Sequence, residues 1–177
     1  MVDFALNTVV IATLVAVHEA GHYAAGRAIG IPGSGMRIML FQWPPHVALR
    51  PPAAEWIAPM QIDRYVDVLN RYANNPRDHF VFVGGGHGAE WLAVVGLTGS
   101  ALAIDHAMLL AAAERVVQWA LILSVIYLII DVVGTLRHKR PHGDFSGQWM
   151  IHCAATAIFY LVYFGGLTGL ALELGVL

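Results

Sequence analysis

Charge is what this chain has least of. Asp, Glu, Lys and Arg make up 12% of its 177 residues, about half the share of an average soluble domain. The net charge of −2, with no basic patch, argues against a nucleic-acid binder. Cysteine is almost missing too. Cys153 stands alone, which excludes an intrachain disulfide and a cysteine-built zinc site. It lies in an apolar run and reads as a small packed side chain. No basic residue precedes the first apolar run, which continues past His22 to Ile29. A retained first helix is therefore expected rather than a cleaved leader. Internal repeats and low-complexity tracts are also absent.

Apolar residues fill the space. They make up 58% of the chain, with a mean hydropathy of +0.62. Crossing a bilayer takes about 20 apolar residues per helix. Four runs qualify, at about 4–29, 88–112, 116–136 and 148–172. The expected fold is an all-α polytopic membrane protein, one transmembrane core over 1–177, with an insertion at about 30–87. That insertion has structure of its own. Residues 36–43 are rich in strand formers, Pro44-Pro45 ends them, and residues 46–49 can pair back as a short hairpin partner. Residues 60–72 read as an amphipathic helix with Ile62, Val66, Leu69 and Tyr72 on one face. It either lies on the membrane surface or caps the bundle. Gly84-Gly85-Gly86 and Gly88 are read as breaking the chain before the second span.

The cations suggest an orientation. Of the ten Lys and Arg residues, Arg27, Arg37, Arg50, Arg64, Arg71 and Arg77 fall at the end of the first span or just after it. Arg137, Lys139 and Arg140 lie between the third and fourth spans, and Arg115 alone falls on the other side. The positive-inside rule puts both basic loops in the cytoplasm and both termini outside. Trp91, Trp119 and Trp149 are expected near span ends, where interfacial aromatics collect.

The chemistry concentrates in His18-Glu19-Ala20-Gly21-His22. Residues four apart share one helix face, so two imidazoles can grip one zinc at about 2.0–2.1 Å. Glu19 projects beside them, where a carboxylate can act as general base on a water acidified by the metal. With this chain's His and Glu content the pattern would arise by chance roughly 0.01 times. Three ionisable groups within five residues of an apolar span are also costly and point to function. The competing readings are a polar helix-packing cluster and a bis-histidine haem site, with His106 and His152 as loose axial candidates. Ala16, Ala20, Gly21, Ala24, Ala25 and Gly26 surround the motif and permit close helix approach.

A catalytic zinc has three protein ligands and an open position. His22 and His18 lie roughly 7 Å and 13 Å along the helix from Arg27, which places the metal in the cytoplasmic half. Asp144 and Asp131 are both at that level. Asp105 and His106 are near the opposite end, and His138 and His142 read as solvated loop residues. The roles of Glu90 and His152 stay open.

At these residues the chain resembles the site-2-protease family of intramembrane zinc metalloproteases. The first match is residues 18–22, followed by Tyr23 and an Ala/Gly-rich tail to Gly30. The second is Gly85-Gly86-His87-Gly88-Ala89-Glu90, where His87 stands in place of the family's usual proline. The third is Pro141-His142-Gly143-Asp144, where Phe145 replaces a usual glycine and the upstream asparagine is missing. Residues 36–43 are similar to the family's membrane-associated β-element. The resemblance implies a minimal core without a soluble regulatory domain. It implies one zinc held by His18, His22 and Asp144, with Glu19 as the catalytic base. The implied activity is endoproteolysis in or near a transmembrane helix of another membrane protein. The alternative is a non-catalytic membrane scaffold or a haem carrier.

Overall fold

The computed structural model describes residues 2–52 and 54–177. Five α-helices and one hairpin follow in order: α1 (Val2–Ala28), a 3-10 turn (Gly33–Gly35), β1 (Met36–Met39), β2 (His46–Leu49), α2 (Ile62–Tyr72), α3 (Pro76–Ile104), α4 (Ala107–His138) and α5 (Asp144–Glu173). Four of these, Asp3–Ala28, Pro76–Ile104, Ala107–His138 and Asp144–Glu173, are long and apolar enough to cross a membrane. The protein is an all-α polytopic membrane protein with a small two-stranded sheet.

The second span differs from the expected one. It begins at Pro76, so the glycines at 84–88 lie inside α3 and do not interrupt it. Asn75 explains the start: its side chain accepts from the Asp78 amide at 2.9 Å, and Pro76 occupies the first turn, where its missing N–H costs nothing. Gly84, Gly85 and Gly86 serve packing instead, while Gly88 faces open space. A Cβ on Gly85 would lie 2.5 Å from Ala25 Cβ and 2.8 Å from the Gly21 carbonyl oxygen, so α1 and α3 cross backbone to backbone. In lipid no hydrophobic effect drives helices together, and such close approach is what holds them. With α3 starting earlier, its turn to α4 falls at Asp105 and His106, and α4 begins at Ala107 instead of near residue 116. Trp91 therefore sits in the middle of α3 instead of at an interface, with its indole nitrogen against Gly166 of α5.

β1 and β2 pair antiparallel, Met36 opposite Leu49 and Met39 opposite His46. The first strand ends at Met39 and not at Trp43; Phe41 and Trp43 are exposed in the connection. α2 packs on this hairpin through Tyr65, Val68 and Leu69, while Val66 faces outward. The buried face is thus rotated from the one read in the sequence. Two hydroxyls fix it: Tyr65 donates to the Val47 carbonyl at 2.8 Å and Tyr72 to that of Arg50 at 2.6 Å. Ile31, Leu49, Ile57 and Phe82 close a small core beneath. In water each such buried aliphatic side chain is worth about 1.5–3 kcal/mol.

α5 is two helices joined at a break. His152 is extended (φ −159°, ψ 91°). Its Nδ1 accepts from the Ala155 amide at 3.1 Å, capping the second half. Cys153, next to the break, is exposed rather than packed.

Candidate metal centre

α1 carries His18 and His22 to the surface shared with α3, and α5 opens with Asp144 directly against them. The His18 and His22 Nε2 atoms are 3.2 Å apart. Asp144 Oδ2 lies 3.0 Å from the first and 3.1 Å from the second. Three donor atoms thus form a nearly equilateral triangle. A tetrahedral ion with bonds of about 2.0–2.1 Å sets its ligand atoms roughly 3.3–3.4 Å apart. The triangle is within a few tenths of an ångström of that.

The other nitrogen of each ring is already spoken for. His22 Nδ1 donates to the Phe82 carbonyl at 2.9 Å. His18 Nδ1 faces Glu90 Oε2 at 3.4 Å. A carbonyl and a carboxylate only accept, so each ring carries a hydrogen on Nδ1, which would leave each Nε2 free to offer its lone pair to a metal ion. This is the tautomer a metal ligand needs.

Gly86 makes room for the rings. A Cβ there would lie 2.5 Å from His22 Nε2 and 2.6 Å from His18 Nε2. Nothing in the sequence alone connects Gly86 to the motif on α1.

A second, overlapping set of donors exists. His18, His87 and Asp144 can each offer one ligand atom within 4.8 Å of the others, and this group could hold a metal ion. It shares His18 and Asp144 with the triangle above. The set with His22 is the tighter of the two and sits at single-ion spacing. His87 is buried, with ring centroids 4.7 Å from His18 and 5.1 Å from Tyr163.

Glu19 is also buried. It lies within electrostatic reach of His22, His18 and Asp144, and of His46 at the start of β2. Tyr65 of α2 closes the same end. Burial first, then the charges of Glu19 and Asp144, push its hydroxyl well above the usual range, so it remains a donor.

Asp131 does different work. Its Oδ2 accepts from the Ser146 amide at 2.8 Å and its Oδ1 from the Thr135 hydroxyl at 3.1 Å. It caps the first turn of α5 and so sets the height of Asp144. Gly143 is required there, since a Cβ would lie 2.9 Å from the Asp131 carboxylate.

The other polar residues stand apart from the centre. Asp105 and His106 form the α3–α4 turn. His138 and His142 stack on each other, exposed, in the α4–α5 connection. His106 occupies the residue before α4 without a side-chain capping bond, while His152 lies at the break in α5. His18 and His22 are neighbours on one helix and do not face each other across a macrocycle.

No protein-family model, curated protein or solved structure matches the chain. Fold and site together define a polytopic membrane protein with a partly buried His–Asp group that could hold a metal ion.

Proposed function

We propose that the protein is an intramembrane zinc endopeptidase, similar to the site-2 proteases, acting on a transmembrane segment of another membrane protein. The observation that carries this reading is the triangle of His18 Nε2, His22 Nε2 and Asp144 Oδ2, at 3.0–3.2 Å spacings, with the buried Glu19 next to His18 on α1. Two neutral imidazoles and one carboxylate, with a free position, are the donor set of a hydrolytic zinc.

When bound, zinc polarises a carbonyl oxygen and acidifies a water. The chain's own residues do the rest. His18, His22 and Asp144 hold the ion. Glu19 takes the proton as the water oxygen bonds to the scissile carbonyl carbon, then delivers it to the amide nitrogen as the C–N bond breaks. The products are a carboxylate and an amine. Mere metal storage needs no Glu19, which favours the hydrolase over a scaffold.

A helical substrate shields its carbonyls, so it must unwind to be cut. An open apolar face of α1 carries Val9, Ala12, Thr13, Ala16, Val17 and Ala20, and its small side chains suit close approach of a second helix. The edge of β1 can then hold the unwound segment by strand addition. The nine-to-one split of the cations supports an orientation with the hairpin, α2 and the metal centre towards the cytoplasm and both termini outside the cell membrane.

The test is cleavage of a single-span membrane protein in proteoliposomes containing only the purified protein and zinc. Cleavage by the wild type and its loss, by about 100-fold or more, in Glu19→Gln is expected, with zinc retained in the variant. Wild-type turnover by Glu19→Gln removes Glu19 from the mechanism.

A further inference from the structure

Phe82, Gly86 and Glu90 follow at four-residue steps and therefore share one face of α3. That face meets both imidazoles of α1. At one end the Phe82 carbonyl accepts from His22 Nδ1. In the middle Gly86 has no side chain where the two Nε2 atoms lie. At the other end Glu90 faces His18 Nδ1 at 3.4 Å. The arrangement is acceptor, gap, acceptor. We propose that Glu90 is a positioning residue, which fixes the tautomer and ring orientation of His18 so that its Nε2 is presented to the metal.

The cost of Glu90 argues for such a role. It is buried inside a membrane helix, where a carboxylate is expensive and is retained for function. Among the described residues no lysine or arginine pairs with it; its ionic partners are His18 and His87, the latter at 3.8 Å. One carboxylate oxygen thus stands between two imidazoles, and the 3.4 Å contact is correspondingly longer than an ordinary N–H···O bond. The His87 Nδ1 has no hydrogen-bond partner of its own. Glu90 is therefore poised to tighten on His18 once a cation draws electron density from that ring. A plain packing role leaves its charge unexplained, because a leucine would fill the same space without the desolvation cost.

This inference rests on the metal-centre reading, and the experiment separates the two. The full-length protein is reconstituted in nanodiscs, stripped of metal and titrated with Zn²⁺. Co²⁺ is titrated in parallel, and its visible absorption bands report ligand geometry. Wild type is compared with Glu90→Leu, Glu90→Gln and His18→Ala. Glu90→Leu should weaken Zn²⁺ binding about 10–100-fold and shift the Co²⁺ bands. Glu90→Gln keeps an acceptor oxygen and should fall between Leu and wild type. The metal-free thermal stability of both Glu90 variants should match or exceed that of wild type. Wild-type Zn²⁺ affinity and Co²⁺ bands in both Glu90 variants, with His18→Ala impaired, overturn the role of Glu90 and leave the metal centre standing. A loss of metal-free stability in Glu90→Gln with unchanged affinity also overturns it. Equal binding by wild type and His18→Ala overturns the metal centre and this inference with it.

Discussion

Substituting Gly86 by alanine adds one methyl group at the most sensitive point of the structure. The new Cβ would lie 2.5 Å from His22 Nε2 and 2.6 Å from His18 Nε2, where nonbonded atoms of this size rest at about 3.5 Å. Each ring must retreat by about 1 Å. Neither is free to do so, because His22 is tied to the Phe82 carbonyl at 2.9 Å and His18 faces Glu90 at 3.4 Å. Metal sites tolerate ligand displacements of only about 0.2 Å. Zinc affinity should therefore fall by about 100-fold or more, on the order of 2.7 kcal/mol. The helix itself should not suffer, since alanine is better than glycine in a helix interior by about 1 kcal/mol. The assay is zinc titration against a chelating competitor, alongside thermal unfolding of the metal-free protein. Wild-type zinc affinity in a folded Gly86→Ala protein would refute the placement of both imidazoles.

Asp144→Ala should purify nearly free of zinc, while Asp131→Ala should keep most of its zinc at micromolar metal; elemental analysis of both decides between the two carboxylates. Asp131→Ala should instead lower thermal stability by about 1–3 kcal/mol, because it strands the Ser146 amide. Cysteines placed at Arg64 and Lys139 should resist a membrane-impermeant thiol reagent in intact cells, and one at His106, in the α3–α4 turn, should react, with Cys153 replaced by serine beforehand. The opposite labelling pattern would move the metal centre to the outer side.

The membrane class was legible in the sequence because hydropathy over a long run is a local property. The His18–His22 pair was legible for the same reason: its geometry follows from one helix. Level along the bundle left Asp144 and Asp131 both open and the family resemblance pointed to Asp144, whose carboxylate lies against both imidazoles. The start of α3 was misread because glycine breaks helices in water but packs them in lipid. Gly21 and Gly85 meet across sixty-odd residues of chain, and single-sequence periodicity carries no such pairing. The Asn75-Pro76 cap was a readable signal that the glycine run overshadowed. Glu90 was visible as an intramembrane acid, but its partner His18 is 72 residues away and belongs to another helix. On α2 the choice between Tyr65 and Val66 as the buried residue was decided by the Val47 carbonyl, a partner that hydrophobicity cannot anticipate. The break at His152 has no proline or glycine beside it to announce it.

If His18, His22 and Asp144 hold one zinc ion within the bundle, metal content measures it directly. The protein is purified in mild detergent without added metal or chelator and analysed by inductively coupled plasma mass spectrometry, beside His18→Ala prepared identically. About one zinc per wild-type chain and a near-empty variant are expected. Zinc at background level in the wild type, or the same zinc content in His18→Ala, would contradict it.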